Sequence, residues 1–203
     1  MSDQLPAEQP VVEAPPEGTP LPSGSTVLRL GPQPSLKNIG DPGHALLAQG
    51  KAWPGLFAFS TKECELVDAG QLVRLSVWEV SRTSTKQAWV LIGMNDNNRV
   101  LLRLSVDAIQ TVALPASVKN PAILSLDVVW ETATQADPVD PAKRIPNTQP
   151  GANGHCGIDG LYRGDRAQQK KLRQLLADTV RPGDLAVLTD EQIASFQAAA
   201  TSA

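Results

Sequence analysis

Three segments of the chain alternate apolar and polar residues with a period of two, the pattern of a β-strand with one buried face. In QLVRLSVWEV at 71–80, the apolar side chains fall on one side of the strand, and Arg74 and Ser76 on the other. VLLRLSV at 100–106 and ILSLDVVWE at 123–131 repeat the pattern. A shift of register by one residue would bury charged side chains instead. The predicted core comprises Val73, Leu75, Val77, Leu102, Leu104, Leu124, Leu126 and Val128.

Further strands are predicted at TVLRL (26–30), LFAFS (56–60) and QAWVLIG (87–93). The turn MNDNN between the last of these and RVLLRLSV predicts a hairpin, because Asn and Asp tolerate the left-handed backbone that such turns require. No long helical pattern separates the strands, so parallel crossover units are not expected. The pattern therefore predicts a mainly β fold, an antiparallel β-sandwich or barrel, over residues 25–133.

The N-terminal segment, residues 1–24, has a different composition. It contains six prolines and four acidic residues, with no lysine or arginine. Such a segment cannot bury enough apolar surface to offset the entropy lost on ordering. We predict an extended or disordered arm; the alternative is an arm that becomes ordered against a neighbouring subunit.

Residues 134–203 form a third region, in which a proline- and glycine-rich connection leads to two short helices. The helix in DRAQQKKLRQLLADTV has Asp165 as its predicted N-cap. The helix in TDEQIASFQ opens with Thr189 and Gln192 at the spacing of a capping box. Helices of this length need packing partners to be stable. The apolar face of the first helix comprises Leu172, Leu175, Leu176 and Val180.

Composition and charge exclude several functions. The chain has 203 residues and a net charge of −3, with 21 acidic against 18 basic residues, so no overall positive field attracts nucleic acid or an anionic membrane. No apolar run approaches the roughly 20 residues of a membrane span, and the first residues lack the features of a signal peptide. We therefore expect a cytoplasmic protein with no membrane partner. In that setting, Cys64 and Cys156 are expected to be free thiols.

The main basic cluster lies at the predicted helix of the C-terminal region. Its members are candidate contacts for a nucleic-acid backbone, because each lysine or arginine could pair with one phosphate. The aromatic platform on which single-stranded bases stack is missing, since Tyr162 is the one aromatic residue nearby. The simpler interpretation is a solvated polar helix face. The cluster comprises Arg163, Arg166, Lys170, Lys171 and Arg173.

The stretch GANGHCGIDGLYRGD places His155 and Cys156 side by side between glycines. From Asn153 to Asp178 the sequence resembles the nucleophile region of ovarian-tumour-type deubiquitinating cysteine proteases, in which a Gly-x-Cys turn opens a helix. That resemblance implies a cysteine nucleophile at Cys156. No histidine follows it, however, and adjacent side chains diverge, so His44 would have to supply the base that makes the thiolate. We interpret the stretch as a glycine-rich surface turn with a free thiol, and assign no catalytic residue.

No metal or cofactor is predicted. A structural zinc site uses four Cys or His ligands in closely spaced pairs, whereas this chain has two cysteines and two histidines with one adjacent pair among them. Neither Gly-x-x-x-x-Gly-Lys-Ser/Thr nor Gly-x-Gly-x-x-Gly occurs, so a phosphate-binding loop is not expected. Asp137 and Asp140 lie in the proline-rich connection, where solvation explains them.

The layout as a whole resembles the small jelly-roll coat proteins of positive-strand RNA plant viruses, the tymovirus-like group in particular. The matching features are the proline-rich arm, the strands QLVRLSVWEV and QAWVLIGM, and NPAILSLDVVWETATQADP as the late strand. The resemblance implies a jelly-roll sandwich, a self-assembling capsid subunit whose partners are copies of itself and weakly bound RNA, and a place in the virion or host cytoplasm. Such coats end soon after the last strand, whereas 70 residues follow Ala133 here. The alternative is a non-enzymatic β-sandwich adaptor module.

Overall fold

A computed structural model describes residues 15–34, 42–94, 97–116 and 122–201. Its centre is a six-stranded antiparallel sheet with the strand order β10-β3-β1-β2-β9-β6. These strands are β1 (Thr26–Gly31), β2 (Leu75–Glu79), β3 (Val100–Ser105), β6 (Asp127–Trp130), β9 (His155–Asp159) and β10 (Leu185–Val187). Two small ladders pair β4 (Ala113–Leu114) with β5 (Leu124–Ser125), and β7 (Thr134–Ala136) with β8 (Arg144–Pro146).

Helices account for about a third of the described residues and strands for about a quarter. The helices are α1 (Pro42–Ala48), α2 (Thr61–Asp68), α3 (Thr85–Leu91), α4 (Val106–Gln110), α5 (Arg166–Asp178) and α6 (Asp190–Thr201), with single 3-10 turns at Pro54–Phe57 and Ala152–Gly154. The predicted antiparallel pairing is confirmed. The predicted sandwich is not what the described residues form, because helices and not a second large sheet cover the central sheet. The fold is mixed α/β.

One face of the sheet, here called the α5 face, packs against α5, α4 and the 3-10 turn at Pro54–Phe57. Its strands contribute Val27, Leu102 and Val128, each of which is fully buried. All eight predicted core residues are buried, and seven of them belong to the cluster on this face. The period-two pattern therefore identified the α5 face correctly.

The opposite face, here called the α3 face, packs against α3 and α6. Leu28 and Leu101 of the sheet meet Trp89 of α3 and Ile193 of α6 in a second buried cluster. The indole of Trp89 also contacts the ring of Phe196, with centroids 5.9 Å apart. Because β1 and β3 are apolar on both sides, neither side of these two strands can face water, and a one-sided sheet would leave Leu101 exposed.

Two of the shorter predicted strands are wrong. QAWVLIG contributes most of α3, which begins with a capping box: the Ser84 hydroxyl accepts from the Gln87 N–H at 3.2 Å, and the Gln87 side chain accepts from the Ser84 N–H at 2.8 Å. The hairpin predicted at MNDNN is therefore a helix-to-strand connection, and its residues 95–96 lie outside the described residues. LFAFS begins inside a 3-10 turn that Pro54 opens, and continues as a loop.

The C-terminal region contributes two strands to the central sheet as well as the two predicted helices. Asp165 caps α5 as predicted, accepting from the Gln168 N–H at 2.9 Å, and the Thr189 capping box precedes α6. Strand β9 lies between β2 and β6, so the sheet extends well beyond residue 133. The surface turn predicted around Cys156 is wrong, because this residue lies in β9 and is fully buried.

Part of the N-terminal arm is ordered against its own chain. The N–H groups of Gly18 and Leu21 donate to the carbonyls of Trp130 and Val128, both at 2.8 Å, and the Trp130 N–H donates to the Thr19 carbonyl at 2.9 Å. Leu21 is 3% exposed. This segment thus pairs with the outer edge of β6, while residues 1–14 of the predicted arm lie outside the described residues.

No described helix combines the length and the hydrophobicity that crossing a lipid bilayer requires.

Candidate ligand-binding site

Strand β9 directs its two most reactive side chains to opposite faces of the sheet. His155 pairs with Trp78 on the α3 face, and Cys156 pairs with Val77 on the α5 face. Successive residues of a strand alternate in direction, so this separation follows from the strand conformation alone. The divergence of the two side chains, expected from their adjacency, is confirmed.

Cys156 lies in the apolar core. Its thiol is fully buried and donates a weak hydrogen bond to the Gly154 carbonyl, with Sγ and O 3.4 Å apart. Burial raises the pKa of the Cys156 thiol well above its ordinary value, because the thiolate would lose its hydration. The neighbouring imidazole of His155 faces the other side of the sheet. This arrangement disfavours the thiolate that a cysteine nucleophile requires.

Close packing explains two of the glycines in this stretch. A Cβ on Gly154 would lie 2.1 Å from the Thr83 hydroxyl, and a Cβ on Gly157 would lie 2.5 Å from a carboxylate oxygen of Glu131. Only a residue without a side chain allows both approaches. These glycines therefore allow β9 and the turn before it to pack closely against Thr83, Arg74 and Glu131.

An ion cluster lies over Gly157 on the α3 face. Arg74 contacts Glu131 at 3.2 Å and Asp159 at 3.7 Å, and Asp159 is also 2.6 Å from Arg163. Burial raises the pKa of Glu131, while the hydrogen bond from Arg74 opposes that shift. The cluster thus pairs two carboxylates with two guanidinium groups, and the charge of Glu17 also acts on Glu131.

Beside this cluster the α3 face opens into a cavity of about 260 Å³, bounded by β2, β9, the C-terminal end of α3 and the β7–β8 hairpin. The apolar lining comprises Trp78, Leu91, Ile92 and Ala133. The polar lining comprises Ser76, Thr132, Thr134, Arg144, Asn147 and His155. A concave site of mixed apolar and polar character is typical of small-molecule binding sites, and this one is slightly smaller than the about 300–1,000 Å³ of drug-sized ligands.

The floor of the cavity is an aromatic pair. The rings of Trp78 and His155 lie with centroids 4.7 Å apart and planes inclined by 46°. Burial lowers the pKa of His155 to about 4, so the imidazole is neutral at pH 7. Its Nδ1 is buried without a well-formed hydrogen bond among the described residues, while the nearby backbone of Glu131 partly opposes the lowering of the His155 pKa. A neutral imidazole has one donor and one acceptor nitrogen, so His155 retains hydrogen-bonding capacity beside the cavity.

The charge at the cavity comes from Arg144 of β8. Its Nη2 donates to the Thr134 carbonyl at 2.7 Å and its Nε donates to the Thr134 hydroxyl at 3.3 Å, across the β7–β8 ladder. These bonds fix the guanidinium on the hairpin. Arginine has five N–H donors, so donors remain for a ligand. Among the described residues that line the cavity, Arg144 alone carries a charge at pH 7.

The predicted nucleic-acid cluster lies elsewhere, and none of its residues lines the cavity. Arg163 precedes α5, pairs with Asp159 and lies over the ring of Tyr162 at 5.8 Å. The other four members lie on α5, with Lys170 and Lys171 exposed. The structure therefore presents these cations at or near one helix.

Sequence reasoning singled out His155 but missed the residues that surround it. Trp78 lies on the polar side of a predicted strand, and Arg144 lies in the proline- and glycine-rich connection, where no strand is predicted. Trp78 was the residue that could have indicated the cavity. A large aromatic side chain on the polar face of a strand predicts that this face packs against another part of the protein or binds a ligand.

Cys64, on α2, is exposed, and both cysteines are free, as expected. Among the described residues, no group of three or more His, Cys, Asp or Glu side chains is arranged to hold a metal ion. The chain matches no protein-family model, no curated protein and no solved structure.

Proposed function

We propose that this protein is a non-enzymatic binding module that holds a small molecule in the cavity of the α3 face. The observation that carries the proposal is the lining of that cavity: an aromatic floor of Trp78 and His155, one guanidinium from Arg144, and neutral hydroxyl and amide groups. Six of the ten lining residues are polar and four are apolar, and a concavity that combines apolar contact with placed polar groups gives a ligand both affinity and orientation.

The desolvated state of His155 supports this assignment. Burial keeps the imidazole neutral at pH 7, because the protonated form would lose its hydration. His155 lines the cavity as a neutral imidazole, which has one donor and one acceptor nitrogen and adds no charge to the lining. The proposal contains no chemical step, because the buried thiol of Cys156 lies on the opposite face of the sheet from this imidazole.

The test is a thermal-shift and calorimetric screen of the full chain against a fragment panel of organic acids, amides, amines and alcohols. Thr132→Phe places a bulky side chain at the cavity, and Ala136→Phe places the same side chain at an exposed position of β7 outside the lining. We expect at least one fragment class to bind the wild type and Ala136→Phe alike and to bind Thr132→Phe at least tenfold more weakly. Equal binding to all three proteins, or no binding of any class, would refute the proposal.

Self-assembly, as a capsid subunit or a smaller oligomer, is a second proposal. What favours it is the arm segment around Leu21, which pairs with the edge of β6 through backbone groups and inserts one buried side chain. Backbone pairing at a sheet edge is independent of sequence, so the arm of a second copy could form the same bonds. RNA contacts by the cluster from Arg163 to Arg173 belong to the same proposal.

Light scattering at rising protein concentration tests the second proposal. We expect the full chain to form higher assemblies, and Leu21→Asp to reduce them, because a charge cannot occupy the buried position. Val139→Asp, at a residue 92% exposed, is the matched control. A strictly monomeric full chain, with and without RNA, would exclude self-assembly and leave the binding module as it stands.

A further inference from the structure

We infer that the occupant of the cavity is a small organic monocarboxylate, with its carboxylate on Arg144 and its apolar body against Trp78 and Ile92. This inference rests on the proposed function and adds the chemical class of the ligand. Its basis is the placement of a single guanidinium at the mouth of an otherwise uncharged concavity.

Charge is the first step of the argument. Among the described lining residues the only cation is Arg144, and no lining residue is acidic. The nearby carboxylates of Glu131 and Asp159 are held by Arg74 and Arg163 over Gly157. The cavity therefore favours an anion over a cation or a neutral molecule.

Geometry is the second step. A guanidinium presents N–H donors in a planar fork that matches the two oxygens of a carboxylate. Bonds to Thr134 hold Nε and Nη2 of Arg144, which orients the fork before a ligand arrives. An anchored guanidinium loses less conformational entropy on binding than a free surface arginine.

Size and polarity are the third step. A volume of about 260 Å³ admits a ring or a short branched chain, and the side chains of Leu91, Ile92 and Trp78 offer it apolar contact. One guanidinium neutralises one negative charge, so a monoanion is matched better than a dianionic phosphate.

Four probes of similar shape test the inference: benzoate, benzamide, benzylamine and phenyl phosphate, titrated into the full chain by calorimetry and by ¹H–¹⁵N spectroscopy. We expect benzoate to bind at least tenfold more tightly than each of the other three. Arg144→Gln should weaken benzoate at least tenfold, and Arg144→Lys should give a smaller loss, because it keeps the charge without the fork. Arg181→Gln, at an exposed arginine that follows α5 and lies outside the cavity lining, is the matched control and should change nothing.

The outcomes separate the inference from the function on which it rests. Equal binding of benzoate and benzamide, both lost in Thr132→Phe, would overturn the carboxylate inference and leave the binding module intact. Tighter binding of phenyl phosphate would replace the carboxylate by a phosphate ester. If no probe binds but another fragment binds in a Thr132-dependent manner, the inference fails alone; if nothing binds at all, both fail.

Discussion

The two faces of the β2–β9 strand pair are built from alternate residues of the same ten positions. They differ in the burial and in the polarity of their side chains. On the α5 face, Val77 and Cys156 are fully buried among apolar side chains. On the α3 face, Trp78 and His155 border a cavity, and Gly157 lies beneath an ion cluster. One side of the strand pair thus belongs to the apolar core, and the other borders an open cavity.

The two faces differ because α3 and α6 cover only part of the α3 face. Helices α3 and α6 pack over β1 and β3 and bury Leu28 and Leu101 there. Towards β2 and β9 that cover gives way to the end of α3 and the β7–β8 hairpin, with the cavity between them. Where no helix seals the sheet, polar groups can remain, because solvent or a ligand satisfies them. The following predictions test this division.

The largest effect is expected for Leu102→Ala, which empties a fully buried position of the α5 face. Truncation of a buried leucine costs about 2–5 kcal/mol in free energy of unfolding, through lost burial and a residual cavity. Urea denaturation measures it. Val139→Ala, at an exposed residue, should change stability by less than about 0.5 kcal/mol. Similar costs at both sites would contradict the assignment of the core.

The second prediction concerns pH and His155. Its folded-state pKa of about 4 lies below the ordinary value of 6.5, so the contribution to stability is complete above pH 6.5 and is lost as pH falls towards 4. The full displacement corresponds to about 3 kcal/mol. Unfolding free energies measured between pH 7 and pH 4.5 should therefore fall more steeply for the wild type than for His155→Gln.

The comparison of wild type with His155→Gln also controls for the titration of the nearby Glu131. Burial raises the pKa of Glu131, which acts in the opposite direction: its contribution is complete below the unfolded pKa and is lost as pH rises. Because Glu131 is present in both proteins, it cancels in the difference between wild type and His155→Gln. Parallel pH profiles for the two proteins would show that His155 is not desolvated.

A smaller effect is expected for Gly157→Ala. The new Cβ would lie 2.5 Å from an oxygen of Glu131 and 2.6 Å from the Arg74 Cβ, and relief of such crowding typically costs about 1–3 kcal/mol. Thermal unfolding measures the loss. In a Glu131→Ala background the added cost of Gly157→Ala should shrink, because part of the obstacle is gone. Strict additivity of the two substitutions would rule out the contact.

The smallest effect on stability is expected for substitution of the exposed Cys64. The two cysteines also allow the reactivity of an exposed thiol to be compared with that of a buried one. Cys64 should react with Ellman's reagent in the native protein, whereas Cys156 should react only after denaturation, because its thiol is buried and its pKa raised. Native protein should therefore titrate one thiol and Cys64→Ser none. Cys64→Ser should leave stability within about 0.5 kcal/mol of wild type. Rapid native labelling of Cys156 would reopen the nucleophile hypothesis.

Local sequence predicted the structure correctly where apolar residues alternate with polar ones along a strand. Val100, Leu102 and Leu104 lie on the buried α5 face of β3. Of the residues between and after them, Leu101 is also apolar, and it is buried on the α3 face. Likewise, the caps at Asp165 and Thr189 identified α5 and α6, since a cap is a hydrogen bond between residues three positions apart.

Local sequence failed where an element was short or where contacts were distant. The seven residues of α3 are too few to show a helical period, and their aromatic and β-branched side chains favour a strand. The Ser84–Gln87 capping box was present in the sequence and indicates the helix. LFAFS was misread for the same reason, since a run of five residues carries no period that separates a strand from a turn.

By itself, then, the sequence determined the antiparallel strands with clear alternation, the eight core residues and the C-terminal helices, because each depends on residues close together in the chain. The place of β9 between β2 and β6, and the meeting of Trp78, Arg144 and His155 around one cavity, were decided by the tertiary structure. These residues span 78 positions of sequence. Their proximity follows from strand pairing and helix packing across the whole sheet, which no short window of the chain contains.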